Sequence, residues 1–233
     1  MISSRTAMGC FALAGYKVIS FDKISSTQDY AHDMIAHGTA SDGTVIVANA
    51  QYAGRGRYRR KWVSHHGNLY ASFIFASPER DPRLSYAIAV AVADTIMSFG
   101  ITPQIKWPND ILIDNNKVSG ILIEYTGRFV IVGIGINVGT NPTVSEYTTT
   151  KLSDWANVDL KELFSRLVRN IDKWRGTDFD SVRHFWMETA VGINMPVKYR
   201  GEMVEMIGIN DNGALVVRRA TEYFLIHGDE ILM

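Results

Sequence analysis

The first part of the chain alternates short apolar runs with one amphipathic segment. Runs rich in β-branched and aromatic residues predict strands at 16–21, 44–48 and 69–76. Residues 25–38 start with capping residues, carry Met34 and Ile35 on one face and stop at a glycine, which predicts a short helix. At its start, Ser25 and Gln28 have the spacing of a capping box.

The apolar spacing changes four more times along the chain. Asp81 and Pro82 open a helical pattern that ends at Gly100. Short apolar runs divided by turn residues then predict an antiparallel meander with strands at 104–107, 111–113, 118–125 and 129–136. Two helical faces follow at 160–174 and 179–186. Four final runs predict strands at 196–200, 202–209, 214–219 and 222–226.

These elements predict an α+β fold with a central mixed or antiparallel sheet flanked by helices and a small C-terminal β-barrel. We expect the main domain to span residues 1–190 and the β domain to span residues 191–233. The apolar run at 7–14 is short and broken by Gly9, so we expect a poorly ordered start rather than a signal peptide.

Composition narrows the range of partners. The formal net charge is zero, which argues against nonspecific binding to nucleic acid or to an acidic membrane, because both need a basic surface. A single cysteine, Cys10, excludes intrachain disulfides and Cys-rich zinc sites, which fits a protein of the reducing cytoplasm. No apolar run reaches the roughly 20 residues that a membrane helix needs.

One segment concentrates positive charge. Residues 54–62, which we call the basic loop, place five cationic side chains between Arg55 and Lys61. Such charges repel one another, so we expect a mobile surface loop unless an anion orders it. Its two glycines allow the backbone to come close to a ligand. The planar guanidinium groups of its arginines can donate two hydrogen bonds to phosphate or carboxylate oxygens. A phosphate-binding loop and a solvated or nucleic-acid-binding patch explain these residues equally well.

Polar residues at the ends of predicted elements leave two interpretations open. Hydroxyls and an amide at the start of the predicted helix could bind a small polar ligand, although capping alone explains them. Lys106, Lys117, Asp110 and Glu124 lie at or near apolar strands. Either the two lysines pair with Asp110, Asp114 or Glu124 at a sheet edge, or a lysine meets a substrate carboxylate or the α-phosphate of a nucleotide while an aspartate holds magnesium. The glycines of residues 133–139 form a poor dinucleotide fingerprint and instead suggest close backbone approach to a ligand or another chain.

Four motifs, taken together, resemble those of the biotin protein ligases, in that family's order. They are Gly-Arg-Gly-Arg-x-x-Arg-x-Trp at 54–62, Lys-Trp-Pro-Asn-Asp at 106–110, Lys-Val-Ser-Gly-Ile-Leu-Ile-Glu at 117–124 and Gly-Ile-Gly-Ile-Asn at 133–137. The resemblance implies a short-form enzyme whose C-terminal β domain is SH3-like. It implies two steps: biotin and ATP form biotinyl-5'-AMP, and a lysine of a biotin carboxyl carrier protein domain, part of a biotin-dependent carboxylase, then accepts the biotin.

The resemblance also assigns roles to residues. The catalytic cations would be Lys117, Arg57 and Arg55. The biotin site would comprise Ser26, Thr27, Gln28, Gln51, Gly54, Arg55, Arg57 and Lys117. The nucleotide site would comprise Arg57, Trp62, Asn109, Lys117 and Asn137, with Asp110 holding Mg²⁺. No protein nucleophile is needed, because the biotin carboxylate and the acceptor amine are themselves the nucleophiles.

The chain departs from the family pattern at three points. Arg59 stands where a third glycine is common, Gln28 stands where asparagine is usual, and an arginine that often follows the last strand is missing. About 20 residues precede the first helix, too few for a helix-turn-helix domain, so we expect no DNA binding. The resemblance leaves room for a homodimer through an exposed sheet edge. The competing interpretations are a lipoate-protein ligase and a nucleic-acid-binding protein without enzymatic activity.

Overall fold

The computed structural model describes residues 9–145 and 147–227. Its strands are β1 (Gly9–Leu13), β2 (Tyr16–Ile24), β3 (Thr44–Gln51), β4 (Leu69–Ala76), β5 (Gln104–Lys106), β6 (Asp110–Ile113), β7 (Asn116–Thr126), β8 (Phe129–Ile136), β9 (Met195–Tyr199), β10 (Glu202–Ile209), β11 (Leu215–Arg219) and β12 (Glu222–Ile226). Its helices are α1 (Thr27–Ala36), α2 (Leu84–Met97), α3 (Leu160–Arg175) and α4 (Phe179–Thr189). The poorly ordered start that we expected falls, for residues 1–8, outside the described residues.

The chain divides into two compact units. One contains the residues up to Arg80 together with Asn116–Val168, and the other contains Asp81–Asn115 and the residues from Arg169 onward. The domain boundary that we placed at residue 190 stays a prediction.

The first unit is built on a mixed sheet. Its strands lie in the order β1-β2-β3-β4-β8-β7. The β2–β3 pair is parallel and the other neighbouring pairs are antiparallel, so the prediction of a mixed sheet flanked by helices is confirmed. Strand β1 was not predicted. It joins β2 through Ala14 and Gly15, both with positive φ, which is the geometry of a tight hairpin turn.

Helix α1 packs on one face of this sheet. Ala31 and Met34 of α1 are buried in a cluster with Ile46, Ile74 and Ile131, which come from β3, β4 and β8. These strand residues share one face because alternate residues of a strand point to the same side. The packing places the first turn of α1 beside β4 and β8, where the candidate site lies.

The second unit contains α2, α4 and an antiparallel C-terminal sheet. Helix α2 is buried on nearly all sides, and Tyr86 on this helix packs edge-on against Trp186 of α4, with 5.3 Å between ring centroids. The predicted C-terminal β domain is a sheet with the strand order β12-β11-β10-β9. None of the helices in the described ranges is both long and apolar enough to cross a bilayer.

Candidate active site

Helix α1 begins at a cluster of polar residues. Ser26 is its N-cap: the backbone is extended (φ −157°, ψ 132°) and Oγ accepts a hydrogen bond from Asp29 N at 3.3 Å. The predicted capping box with Ser25 is therefore wrong by one residue, because the extended backbone that a cap requires occurs at Ser26. Thr27 and Gln28 follow in the first turn and are only 4% and 3% exposed, so their polar groups face the protein interior.

Hydrogen bonds between side chains join α1 to β3 and β4. Gln51, at the end of β3, accepts from the backbone N and Oγ1 of Thr27 at 2.8 and 3.2 Å. Its Nε2 donates to Ser64 Oγ at 2.9 Å. On β4, Ser72 Oγ lies 2.9 Å from Thr27 Oγ1 and 3.0 Å from Gln28 Oε1, within donating distance of both. These bonds fix the orientation of two amides and a hydroxyl.

Three glycines form a flat floor on the same face of the sheet. Gly120 on β7 pairs with Gly135 on β8, and Gly133 precedes Gly135 by one alternation of the strand. A Cβ atom at Gly133 would lie 2.5 Å from Gln28 Oε1, and one at Gly135 would lie 2.6 Å from the indole of Trp62. We expected these glycines to allow close backbone approach to a ligand or another chain, whereas in the structure side chains of the same unit make the close approach.

The basic loop leaves and rejoins the sheet beside this floor. Trp62 N donates to Gly54 O at 2.8 Å, and Gly56 N donates to Arg60 O at 2.8 Å. These backbone hydrogen bonds join the two ends of the loop. A Cβ atom at Gly54 would lie 2.5 Å from Trp62 O and 2.9 Å from Gln51 Nε2. Glycine is therefore required at position 54 for the loop to start so close to Gln51.

The tip of the loop carries backbone strain. Tyr58 and Arg59 have φ angles of 54° and 59°. The left-handed region costs a non-glycine residue about 1–2 kcal/mol, so Arg59 adopts the conformation of the usual glycine at that cost.

We expect Arg59→Gly to raise the free energy of unfolding by about 0.5–1 kcal/mol, because the relief of strain exceeds the added entropy of the unfolded chain. Urea denaturation measures the change. Arg60→Gly is the control, since φ is −61° at Arg60 and a glycine gains nothing there. Equal unfolding free energies for Arg59→Gly and Arg60→Gly would contradict backbone strain at Arg59.

Two carboxylates hold Arg55. Its Nε donates to Asp29 Oδ1 at 2.6 Å, and its Nη1 and Nη2 donate to the two carboxylate oxygens of Glu124 at 2.6 and 2.9 Å. We expected an anion to order the basic loop, and at Arg55 residues of α1 and β7 supply it. The bidentate bond with Glu124 raises the pKa of Arg55 above its usual value.

Glu124 is the centre of this network. It also accepts hydrogen bonds from Gln28 Nε2 and His32 Nε2, both at 2.9 Å. Partial burial alone would raise the pKa of Glu124, but the hydrogen bonds from Arg55, His32 and Gln28 outweigh burial and lower the pKa from 4.5 to about 2. Glu124 is therefore ionised at neutral pH and pairs with Arg55, not with a lysine at a sheet edge.

A stability prediction follows from this pKa. A carboxyl group with a depressed folded-state pKa stabilises the fold above its unfolded-state pKa, and that contribution is lost as pH falls through the folded-state pKa. The difference in unfolding free energy between wild type and Glu124→Gln should be about 2–3 kcal/mol at pH 7 and should fall to about half by pH 3. Urea titrations between pH 3 and pH 7 measure it. A difference that stays constant over this range would contradict the assigned pKa.

Lys117 lies between two aromatic rings at the start of β7. Its Nζ is 5.4 Å from the ring centroid of Trp62 and 4.9 Å from that of Tyr147. Hydrogen bonds from Lys117 N to Thr148 O and from Thr150 N to Lys117 O hold the following segment against β7 and bring Tyr147 into place. The two rings attract the ammonium group and restrict its position.

Two other predicted nucleotide-binding residues of the first unit have a buried polar atom that makes no hydrogen bond. Trp62 Nε1 and Asn137 Oδ1 are buried and have no hydrogen-bond partner in the described part of the chain. Asn137 Nδ2 donates to Thr150 O at 3.1 Å, which fixes the amide with Oδ1 available as an acceptor. Unmet buried groups cost about 1–3 kcal/mol each, a cost that a ligand could remove. Arg57 Nη2 donates to Tyr58 OH at 3.0 Å, so its guanidinium lies along the loop tip.

Asn109 and Asp110 belong to the second unit. Asp110 is the first residue of β6 and pairs in register with Lys106 of β5. Within residues 9–145 and 147–227, no group of three or more His, Cys, Asp or Glu side chains could hold a metal ion.

Several residues of this arrangement were not predicted as site residues. Glu124 was noted only as a charge near an apolar strand, and Asp29, His32, Ser72 and Tyr147 received no role. The period of two along β7 could have identified Glu124, because it lies on the same face as Gly120. No comparable signal marks Tyr147, whose position depends on the path of a loop.

Comparisons with known proteins show the family of the chain. The profile of the biotin/lipoate A/B protein ligase family matches residues 20–141. The chain is 34% identical over 227 residues to the bifunctional ligase/repressor BirA of Bacillus subtilis, covering 87% of this chain and 70% of the relative. It is 31% identical over 204 residues to the biotin–[acetyl-CoA-carboxylase] ligase of Paracoccus denitrificans, covering 74% and 83%. The structure of the biotin protein ligase from Aquifex aeolicus in complex with biotin and ATP matches with a TM-score of 0.78 at 26% identity, covering 92% and 97% of the two chains.

Proposed function

The chain belongs to the biotin/lipoate A/B protein ligase family, and from that premise we propose that its site joins biotin to ATP and passes the biotin on to a carrier protein. The protein is a biotin protein ligase that forms biotinyl-5'-AMP and biotinylates carrier domains. The residues that perform each step are our proposal.

The buried polar network is the observation that favours biotin over lipoate as the substrate. The ureido ring of biotin offers two N–H donors and one carbonyl acceptor, whereas the dithiolane ring of lipoate offers no comparable groups. Thr27, Gln28 and Gln51 present oriented amides and a hydroxyl beside the glycine floor, with Ser26 at the same helix start. A site built from such groups rejects a ligand that leaves them unpaired. We therefore assign these four residues to the ureido ring.

The first step needs charge neutralisation rather than a protein nucleophile. A carboxylate oxygen of biotin bonds to the α-phosphorus of ATP, the bond from that phosphorus to the β-phosphate bridging oxygen breaks, and pyrophosphate leaves. Lys117 and Arg57 would neutralise the charge on the reacting phosphate, and Gly54 would let the loop backbone approach it. Arg55 has five N–H groups, of which three donate to Asp29 and Glu124, so two remain for the biotin carboxylate.

In the second step, a lysine amine of the carrier bonds to the acyl carbon of biotinyl-5'-AMP, AMP leaves, and the nitrogen loses a proton. Lys117 would stay beside the acyl-phosphate oxygens and stabilise the charge that develops there. We propose that the acceptor is the carrier domain of an acetyl-CoA carboxylase, the substrate after which the ligase of Paracoccus denitrificans is named.

We propose that two residues of the first unit, Asn137 and Trp62, contact the nucleotide. Asn137 Oδ1 and Trp62 Nε1 would gain the partners that they lack in the described residues. The roles that the motif at 106–110 implies for Asn109, at the nucleotide, and for Asp110, as a ligand of Mg²⁺, stay predictions from the resemblance. The magnesium ion, when bound, neutralises phosphate charge.

Intact-mass measurement tests this function. The protein is incubated with ATP, a purified biotin carrier domain and either biotin or lipoate, with omission of ATP as the control. We expect one biotinyl group on the carrier in the presence of ATP and no lipoyl group. Transfer of lipoate, or no transfer of biotin, would contradict the proposed function.

A further inference from the structure

Glu124 connects two parts of the site that would meet different ends of biotin. Its Oε1 accepts from Arg55 Nη1 at 2.6 Å, and its Oε2 lies 2.9 Å from each of Arg55 Nη2, Gln28 Nε2 and His32 Nε2. Arg55 belongs to the basic loop, whereas Gln28 and His32 belong to α1. One carboxylate on β7 therefore contacts donors from two other elements.

We propose that Glu124 is a positioning residue for biotin binding, which sets the orientation of both Arg55 and Gln28 before the ligand arrives. This inference rests on the proposed function, because it assigns Arg55 to the biotin carboxylate and Gln28 to the ureido ring. Glu124 would act through these two side chains and would not touch the ligand.

The hydrogen bonds determine which way each group points. Gln28 Nε2 donates to Glu124 while Gln28 Oε1 accepts from Ser72, so the amide cannot turn over without losing both bonds. The Arg55 guanidinium donates hydrogen bonds to two carboxylates, from Nε to Asp29 and from Nη1 and Nη2 to Glu124. Preorganised groups bind a ligand more tightly because they lose less conformational freedom on binding.

His32 completes the arrangement from the helix side. Its Nε2 faces Glu124 and its Nδ1 lies 3.1 Å from Thr126 Oγ1. An ionised carboxylate only accepts hydrogen bonds, so Nε2 carries a proton and donates it to Glu124, while Nδ1 is within hydrogen-bonding distance of Thr126 Oγ1. Thr126 follows Glu124 on the same face of β7, so both ring nitrogens of His32 are held by one strand.

Substitution by glutamine separates a positioning role from a general structural one. Glu124→Gln keeps the shape of the side chain but removes the charge and turns an NH₂ group toward donors. We expect the KM for biotin to rise about 10–100-fold, while the KM for ATP and kcat stay within about 3-fold. Glu124→Asp, which keeps the charge but shortens the reach, should raise the KM for biotin by less. The control is Glu205→Gln, which removes a comparable Arg–Glu pair with Arg218 in the C-terminal sheet and should change neither KM.

A double variant tests whether Glu124 acts through Arg55. If it does, adding Arg55→Lys to Glu124→Gln should raise the KM for biotin little beyond the worse single variant. Three outcomes would overturn the proposal. The effects of Glu124→Gln and Arg55→Lys on the KM for biotin could multiply in the double variant. Glu124→Gln could also leave the KM for biotin unchanged, or change both KM values and kcat equally. If Glu124→Gln does not fold, the selective change must appear in Glu124→Asp, and its absence there overturns the proposal. Wild type is measured in the same assay: failure to transfer biotin would refute the proposed function instead.

Discussion

Lys117→Met is expected to slow the formation of biotinyl-5'-AMP about 10²–10³-fold, the loss typical of removing one preorganised charge from a transition state. Methionine keeps much of the length and apolar contact of the lysine side chain, so it should still lie between the rings of Trp62 and Tyr147. The variant loses only the charge that faces the reacting phosphate. Single-turnover reactions with biotin and ATP, quenched and analysed by mass spectrometry, give the rate.

Lys161→Met is the matched control, because Lys161 is an exposed residue of α3. Its rate of adenylate formation should equal that of wild type. A rate for Lys117→Met within about 3-fold of the control would mean that Lys117 has no catalytic role in the first step.

Gly135→Val is expected to weaken biotin binding about 100-fold or more, because the Trp62 indole lies over this glycine and the valine side chain would displace it together with the basic loop. A Cβ atom at this position would already lie 2.6 Å from the Trp62 indole, and the two methyl groups of valine extend further. The indole must move away, and the space above the glycine pair is filled. Valine is well suited to a strand, so the sheet should persist. Isothermal titration with biotin measures the affinity, and circular dichroism checks the fold.

Ile134→Val is the control for this substitution. Ile134 is the neighbouring residue of β8, points to the opposite face and is 3% exposed, so the variant alters the core without touching the floor. Its affinity for biotin should stay within about 2-fold of wild type. If Gly135→Val bound biotin as tightly as this control, the close packing of Trp62 on Gly135 would not be needed for biotin binding.

Strand positions were predictable where a run of apolar residues has clear ends. The predicted strands at 69–76, 129–136, 202–209 and 222–226 agree with β4, β8, β10 and β12. Strand β1 was missed because Gly9–Leu13 is short and lies inside the apolar run at 7–14, which resembles a leader sequence and was expected to be poorly ordered. The start of α1 was misplaced by one residue, since Ser25 and Ser26 are chemically equal caps and only the backbone conformation distinguishes them.

The site was predictable as a set of motifs but not as a network. Glycines at 133 and 135 signalled close approach to the backbone, and the structure places Gln28 and Trp62 there. Local sequence could not reveal that Arg55 pairs with Glu124, because the two residues are 69 positions apart. The same limit applies to Tyr147 beside Lys117. Pairing across a sheet depends on register and loop path, which single-residue chemistry does not determine.

The amount of biotinyl-5'-AMP retained by the purified protein gives the sharpest test that this site forms the adenylate. The protein is incubated with biotin and ATP without any carrier domain, separated from unbound ligand by gel filtration, and analysed by quantitative mass spectrometry. We predict about one adenylate per chain for wild type, far less for Gly135→Val, and none when lipoate replaces biotin. Wild-type protein that retained no adenylate, or a Gly135→Val variant that retained as much as wild type, would contradict the site described above.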